Sequence, residues 1–238
     1  MKNIKHIYLK ELKSYFNGPM AYIFLVIFSL VNGYFFSNTF FIFGQSDMRA
    51  LFQIIPLVYL FFIPAITMGI ISKEKNIGTM EVMCTLPIKD HELVIGKYLS
   101  ILSLLFVGLL LTSVMLFNLI AVGTNIDYGA IFTGYLGLFL AGSVYASMGI
   151  FASSLTDNQV VGFIIAIFFV LIFFLIDKLL IFMPNAIAGT IQYLSVDYHM
   201  STLSKGVIDT RNIIYFLSVI GMFLFGTTQV LSSSKWKS

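Results

Sequence analysis

Ser195, Asp197 and His199 place a hydroxyl, a carboxylate and an imidazole within five positions, the residue types of acyl-transfer chemistry. In so short a stretch they read more simply as a capped turn. His6, His91 and His199 are scattered without metal-ligand spacing, and the lone Cys84 excludes an internal disulfide. Gly96-Lys97 has His91 where a phosphate-binding loop, G-x-x-x-x-G-K, needs its first glycine. Paired carboxylates and an HExxH helix are missing from the sequence. The expectation is a chain with no catalytic residue, no metal and no cofactor of its own.

The elements that carry these residues belong in lipid. Of 238 residues 58% are hydrophobic and 11% charged, with a mean hydropathy of +0.94. Soluble domains average roughly 25% charged residues. Apolar runs long enough to cross about 30 Å of hydrocarbon recur along the chain. The net charge of +3 is too small to suggest nucleic acid. The fold class expected is an all-α membrane protein forming one domain over residues 1–238.

About six spans are expected, near 19–43, 52–72, 98–122, 129–152, 160–176 and 212–232. The first begins at Gly18-Pro19, where proline suits an opening turn that lacks hydrogen-bond partners. Its apolar run is too long for a signal-peptide core, so it is expected to stay as a span. Six spans place both termini on one side. With that side cytoplasmic, ten lysines fall inside, while Arg49, Lys178, Lys205 and Arg211 fall outside. This follows the positive-inside bias.

Residues 1–17 read as an interfacial helix, with Ile4, Ile7, Tyr8, Leu12, Tyr15 and Phe16 on one face and His6, Lys10 and Lys13 opposite. Glu11 falls inside the apolar stripe. Either its carboxylate bends out to the headgroups, or it pairs with a lysine of the 73–97 connector and clamps the helix to it. The fourth span is rich in small residues (Gly134, Gly137, Gly142, Ser143, Gly149 among them), which permit close helix packing within the bundle or at a subunit interface. Asn32, Gln53, Thr67, Asn118 and Gln229 are expected to cross-link helices, with a substrate contact as the alternative for any one of them. The segment 177–211 holds apolar pieces too short to span. It is expected to form short outer helices, around 179–183 and 186–194, capping the bundle before the last span.

The stretch SKEKNIGTMEVMCTLPIKDHELVIGKYL, 72–99, is the one long, charge-rich connector between apolar runs. Gly78 and Pro87 bracket about two turns of helix. Thr79 is the expected N-cap, Glu81 favours the positive end of the helix dipole, and Asp90 caps the helix that follows. A short helix held at the membrane surface suits a socket on a soluble partner. Met80, Met83, Cys84 and Leu86 would supply apolar contact, and Glu74 and Glu81 would orient it through basic residues on that partner.

Residues 74–99 resemble the connector of ABC-2 type permeases: glutamate, a basic residue, G-T-x-E, L-P, E-L, then G-K-y-l. The stretch KELKSYFNGPMAY, 10–22, looks like the family's interfacial helix entering the first span. Residues 195–212 are similar to the branch that includes gliding-motility-associated permeases. Met83-Cys84 stands where the family often has leucines, and Arg211-Asn212 where relatives often carry Arg-Asp. The resemblance implies a cytoplasmic coupling helix that contacts a separate ATPase subunit through Glu74, Gly78, Thr79, Met80, Glu81, Met83, Cys84, Leu86 and Pro87. Glu11, Tyr15 and Phe16 would belong to the interfacial helix.

On that resemblance the chain is the permease subunit of an ATP-driven exporter in a bacterial inner membrane. Cytosolic ATPase subunits would bind ATP and Mg, and a second permease copy or a related permease would complete the pathway. Two other readings stand beside it. A secondary transporter driven by an ion gradient usually carries ionisable residues at mid-span and repeated halves, and neither is visible here. A membrane anchor for a soluble complex would share the docking connector.

Overall fold

In a computed structural model the structure describes residues 2–42, 47–80, 88–123, 126–180, 189 and 191–235. Among these it is all helical. The elements are α1 (Lys2–Asn17), α2 (Pro19–Ser37) with a π-helical turn at Asn38–Ile42, α3 (Arg49–Thr67), α4 (Ser72–Asn76) and α5 (Asp90–Val122). They continue with α6 (Tyr128–Ser154), α7 (Gln159–Leu179), α8 (Val196–Leu203) and α9 (Thr210–Lys235). Six stretches are long and apolar enough to span: 19–42, 51–76, 90–122, 128–154, 159–179 and 210–233. The chain is a multi-pass membrane protein.

Helix α6 is the axis of the bundle, because its small residues let three neighbours, α3, α5 and α8, come close. A methyl group at Gly134 would overlap the Phe52 ring of α3, and one at Gly149 would overlap Thr67. At Gly142 it would meet Leu105 of α5 at 2.8 Å, and at Gly137 Met200 of α8 at 2.7 Å. Packing rather than hydrophobicity holds membrane helices together. The small residues of α6 therefore build this bundle from within.

Several sequence expectations are corrected. Asn32 and Thr67 do not cross-link helices: the Asn32 amide donates to Phe28 O at 2.7 Å and the Thr67 hydroxyl to Ile63 O at 2.9 Å, both within their own helices. Four residues is one helical turn, so the nearest acceptor lies on the same helix. Gln53, Asn118 and Gln229 are exposed. The third span starts at Asp90 rather than 98, and Lys89 rather than Asp90 is its N-cap, its N–H reaching the Glu92 carboxylate at 3.3 Å.

In the outer segment, residues 181–188 and 190 lie outside the described residues, and so does most of the expected helix at 179–183. What is described is α8, which the sequence reading left as a capped turn. Ser195 does cap it, accepting from the N–H of Tyr198. Val196, His199, Met200 and Leu203 form its buried face. Asp197 pairs instead with Lys178 at 2.6 Å. His199 bridges Asn212 Oδ1 at 2.7 Å and the carbonyl of Tyr193 at 3.0 Å, and stacks on Tyr215 with ring centroids 4.0 Å apart. Ser195, Asp197 and His199 thus face three ways, as structural groups.

Candidate coupling site

Lys97 sits two turns into α5, in register with Val94, Ile101 and Leu104, all buried. That register points its side chain into the protein, where its side chain is 1% exposed. An ammonium has three protons to place, and three acceptors meet it: Glu11 Oε1 at 2.8 Å, Glu74 Oε2 at 2.7 Å and the carbonyl oxygen of Ile70 at 2.8 Å. Lys10 reaches the other oxygen of Glu74 at 3.0 Å. Two lysines thus balance two carboxylates. The balance matters because an uncompensated buried charge costs several kcal/mol.

The partners come from three elements. Glu11 is on the buried edge of α1 with Ile7 and Tyr15. Glu74 is on α4, and Ile70 is in the turn that ends α3. The Tyr15 hydroxyl donates to Ile66 O at 3.3 Å, so α1 also holds the last turn of α3. Burial, then the charge of Glu11, pushes the Tyr15 hydroxyl pKa up, which keeps it a neutral donor. Burial pulls the Lys10 ammonium down, but the hydrogen bond and charge of Glu74, with Glu11 behind it, outweigh this and raise its pKa. Farther along α1, Asn3 donates to Glu92 at 3.0 Å, Ile7 lies against Gly96, and Tyr8 meets Ser103 at 3.0 Å.

A second set of bonds holds the same segment from the other side. Ser153, near the end of α6, accepts from the N–H groups of Ile71 and Ser72, each at 3.1 Å, and donates to Met68 O at 2.8 Å. Lys75 donates to Ser154 O at 2.6 Å and lies 3.8 Å from Asp157. The turn 68–71 and α4 are therefore fixed to α1 and α5 through Lys97, and to α6 through Ser153.

Helix α4 ends at Asn76, and Gly78 two residues on has a φ of +77°, the left-handed conformation that glycine adopts without steric cost. Its N–H closes the turn on Lys75 O at 3.1 Å. Thr79 donates its hydroxyl to Glu74 O at 3.2 Å; the N–H groups at 81 and 82 that it is expected to cap lie outside the described residues. Met80 is half-buried against the core. Glu81, Met83, Cys84, Leu86 and Pro87 lie outside the described residues. Glu74, expected to face a partner, is engaged by Lys97 and Lys10 with its side chain 15% exposed. Glu11 and Tyr15 point inward, and Phe16 lies in a groove with Tyr8, Leu12, Leu99 and Phe106.

Sequence reasoning raised a lysine of the connector as the partner of Glu11 but did not single out Lys97. The signal was present: Lys97 interrupts an apolar stripe with helical spacing. Nothing in the sequence pointed to Ser153 or to exposed Ile77. The arrangement offers no chemical step. What it can do is carry a displacement of α4 into α1, α5 and α6 together.

A family model described as ABC-2 family transporter protein matches residues 29–238. The match takes in about the second half of α2 and every later helix, leaves α1 outside, and gives no support to the gliding-motility branch. No individual curated protein matches the chain.

Proposed function

The chain belongs to the ABC-2 transporter family, and from that premise we propose that it is the permease subunit of an ATP-driven exporter. Both termini face the cytoplasm of a bacterium, and α1 lies along the inner leaflet of the plasma membrane. A separate ATPase binds ATP and Mg and docks on the connector 73–97. Two permease copies, or this one and a related permease, form the pathway. A lipidic or amphipathic cargo suits spans so rich in aromatic residues. The kinship of 195–212 to gliding-motility permeases rests on sequence pattern alone.

The observation that carries the coupling role is the three-point grip on Lys97. Closure of the ATPases would displace the coupling helix and with it α4. Because Glu74 and Ile70 hold Lys97, and Ser153 holds the turn before α4, the displacement passes to α5 and α6 rather than ending in α3. Glu11 carries α1 along. Coupling then requires each nucleotide state to favour a different arrangement of these helices.

The test is reconstitution with the partner ATPase in proteoliposomes. ATP-dependent flux that stops when the ATPase is omitted supports the reading. Flux by the permease alone, driven by a proton or sodium gradient, replaces it with a secondary transporter. ATPase binding with no flux of any lipid or amphiphile tried would leave an anchor.

A further inference from the structure

Helices α5 and α6 leave a groove of about 540 Å³ between them, walled by Phe106, Leu110, Leu116, Phe132 and Leu136. From Phe106 to Leu116 it follows α5 for about 15 Å. Among the described residues no charged side chain lines it, and its hydroxyl groups are those of Ser113, Tyr128 and Tyr135. At Phe106 and Phe139, whose rings pack edge to face at 6.2 Å, it meets the groove lined by Tyr8, Leu12 and Phe16 of α1.

The polar part of this groove has one proton too many. The Thr112 hydroxyl donates its single proton to Leu109 O at 2.7 Å, so in its 3.0 Å contact with Tyr135 it accepts. Tyr135 has therefore spent its proton and keeps a lone pair. Two turns along α6, the ring of Tyr59 lies against Gly142. Tyr59 is fully buried and in electrostatic contact with Tyr135, yet its hydroxyl has no hydrogen-bond partner among the described residues. A buried hydroxyl left unmet is unfavourable. A group that accepts from Tyr59 and donates to Tyr135 is itself a hydroxyl.

We propose that this groove binds a neutral lipid bearing a hydroxyl group, a monoacylglycerol or long-chain alcohol, with its chain against α5 and α6 and its hydroxyl between Tyr135 and Tyr59. An ionised headgroup finds no counter-charge in the lining, and Thr112 lies about 15 Å along α5 from its end at Val122. A partner helix is a poor occupant. Membrane helices approach through small residues, and Ser113 is the one small residue among those described in the lining. Water alone would satisfy Tyr59 but would leave the apolar walls unfilled. The site needs no ATPase, so it stands apart from the permease reading.

The test uses the full chain in detergent and a monoacylglycerol carrying a photoreactive diazirine in its acyl chain. Light is expected to attach the probe to peptides covering 106–116 and 128–139. Hexadecanol should displace it about tenfold better than hexadecyl methyl ether, which accepts a hydrogen bond but donates none. Tyr59→Phe deletes the unmet hydroxyl, so it should melt at or above the wild type yet bind the probe about tenfold more weakly. Leu110→Trp, at a position 52% exposed, should fold normally and block the chain. Labelling spread over every apolar helix, with no competition by hexadecanol, would mean ordinary boundary lipid and overturn the proposal. Equal binding by wild type and Tyr59→Phe would overturn it as well, and the absence of any labelling would leave water as the partner of Tyr59. In a Cys84→Ser background, a disulfide between copies carrying Phe132→Cys would put a second copy in the groove and overturn it too.

Discussion

Lys97 and Glu74 stand on different helices, 23 positions apart, with their charged atoms 2.7 Å apart and the lysine buried. A buried ion pair is poor evidence of stability, because desolvation offsets most of its attraction. Its strength lies in geometry. The pair, with Glu11, fixes where α4 sits relative to α5 and α1.

Removing Lys97 alone should be costly. Lys97→Met leaves Glu11 and Glu74 with only the half-exposed Lys10 as counter-charge, a loss approaching that of a broken buried pair, about 3–5 kcal/mol. The expected reading is a large fall in melting temperature in detergent and a complex that hydrolyses ATP without transport. The triple variant Glu11→Leu/Glu74→Leu/Lys97→Met removes the charges together and should recover most of the stability. Transport should stay lost, because an apolar cluster slides where a three-point grip does not. Wild-type transport by the triple variant would show that the cluster is not the transmission element.

Glycines of the bundle separate by what surrounds them. Gly149→Ala pushes a methyl group into Thr67, whereas nothing lies within 4 Å of a methyl group at Gly221. Overpacking typically costs about 1–3 kcal/mol. Replacing an unhindered helical glycine by alanine gains up to about 1 kcal/mol. The two variants should therefore move the melting temperature in opposite directions, Gly149→Ala down and Gly221→Ala level or up.

The span count was legible because a hydrocarbon layer sets a length that composition alone can meet. The small-residue face of α6 was legible too, though not which helices it admits. Glu11 announced itself as a carboxylate in an apolar stripe. Its partner did not, because Lys97 is one of four lysines in the connector 73–97, with Lys73, Lys75 and Lys89 as its rivals. Helix α8 was missed for a related reason: Val196, His199, Met200 and Leu203 have helical spacing, but polar neighbours dilute it over eight residues. Asn32 and Thr67 were misread because sequence shows a polar group without showing that its own helix already offers an acceptor.

His199 is a structural residue whose removal should be felt at the outer end of the bundle. His199→Phe keeps the stack on Tyr215 but leaves Asn212, buried on α9, without its 2.7 Å partner. An unsatisfied buried polar group costs about 1–3 kcal/mol. Faster amide exchange in α8 and the start of α9, with ATPase binding unchanged, is the expected result. Loss of ATPase binding would contradict the placement of docking at the other end.

Topology decides whether any cytosolic partner can reach the connector. In a Cys84→Ser background, single cysteines at Asn76 and Ser234 should react with an impermeant maleimide only from the cytoplasm. Cysteines at Asp127 and Ser201 should react only from outside. Labelling of Asn76 from outside would end the docking argument, whatever the ATPase.

The connector itself yields the sharpest expectation. Residues 81–87 lie outside the described residues, so the claim rests on the family resemblance and on how firmly their base is held. Burying apolar area is worth roughly 25 cal/mol per Å², whereas an exposed ion pair contributes about 0–1 kcal/mol. Met83→Asp should therefore insert normally but lose the ATPase in co-purification. Glu81→Ala should only weaken association or uncouple hydrolysis from transport. Gly78→Val tests the turn rather than the contact. Its φ of +77° is strained for a β-branched residue whatever the space around it. It should redirect the segment and impair docking, although no described atom lies within 4 Å of a Cβ placed there. Normal co-purification and transport with Met83→Asp would show that the ATPase docks elsewhere.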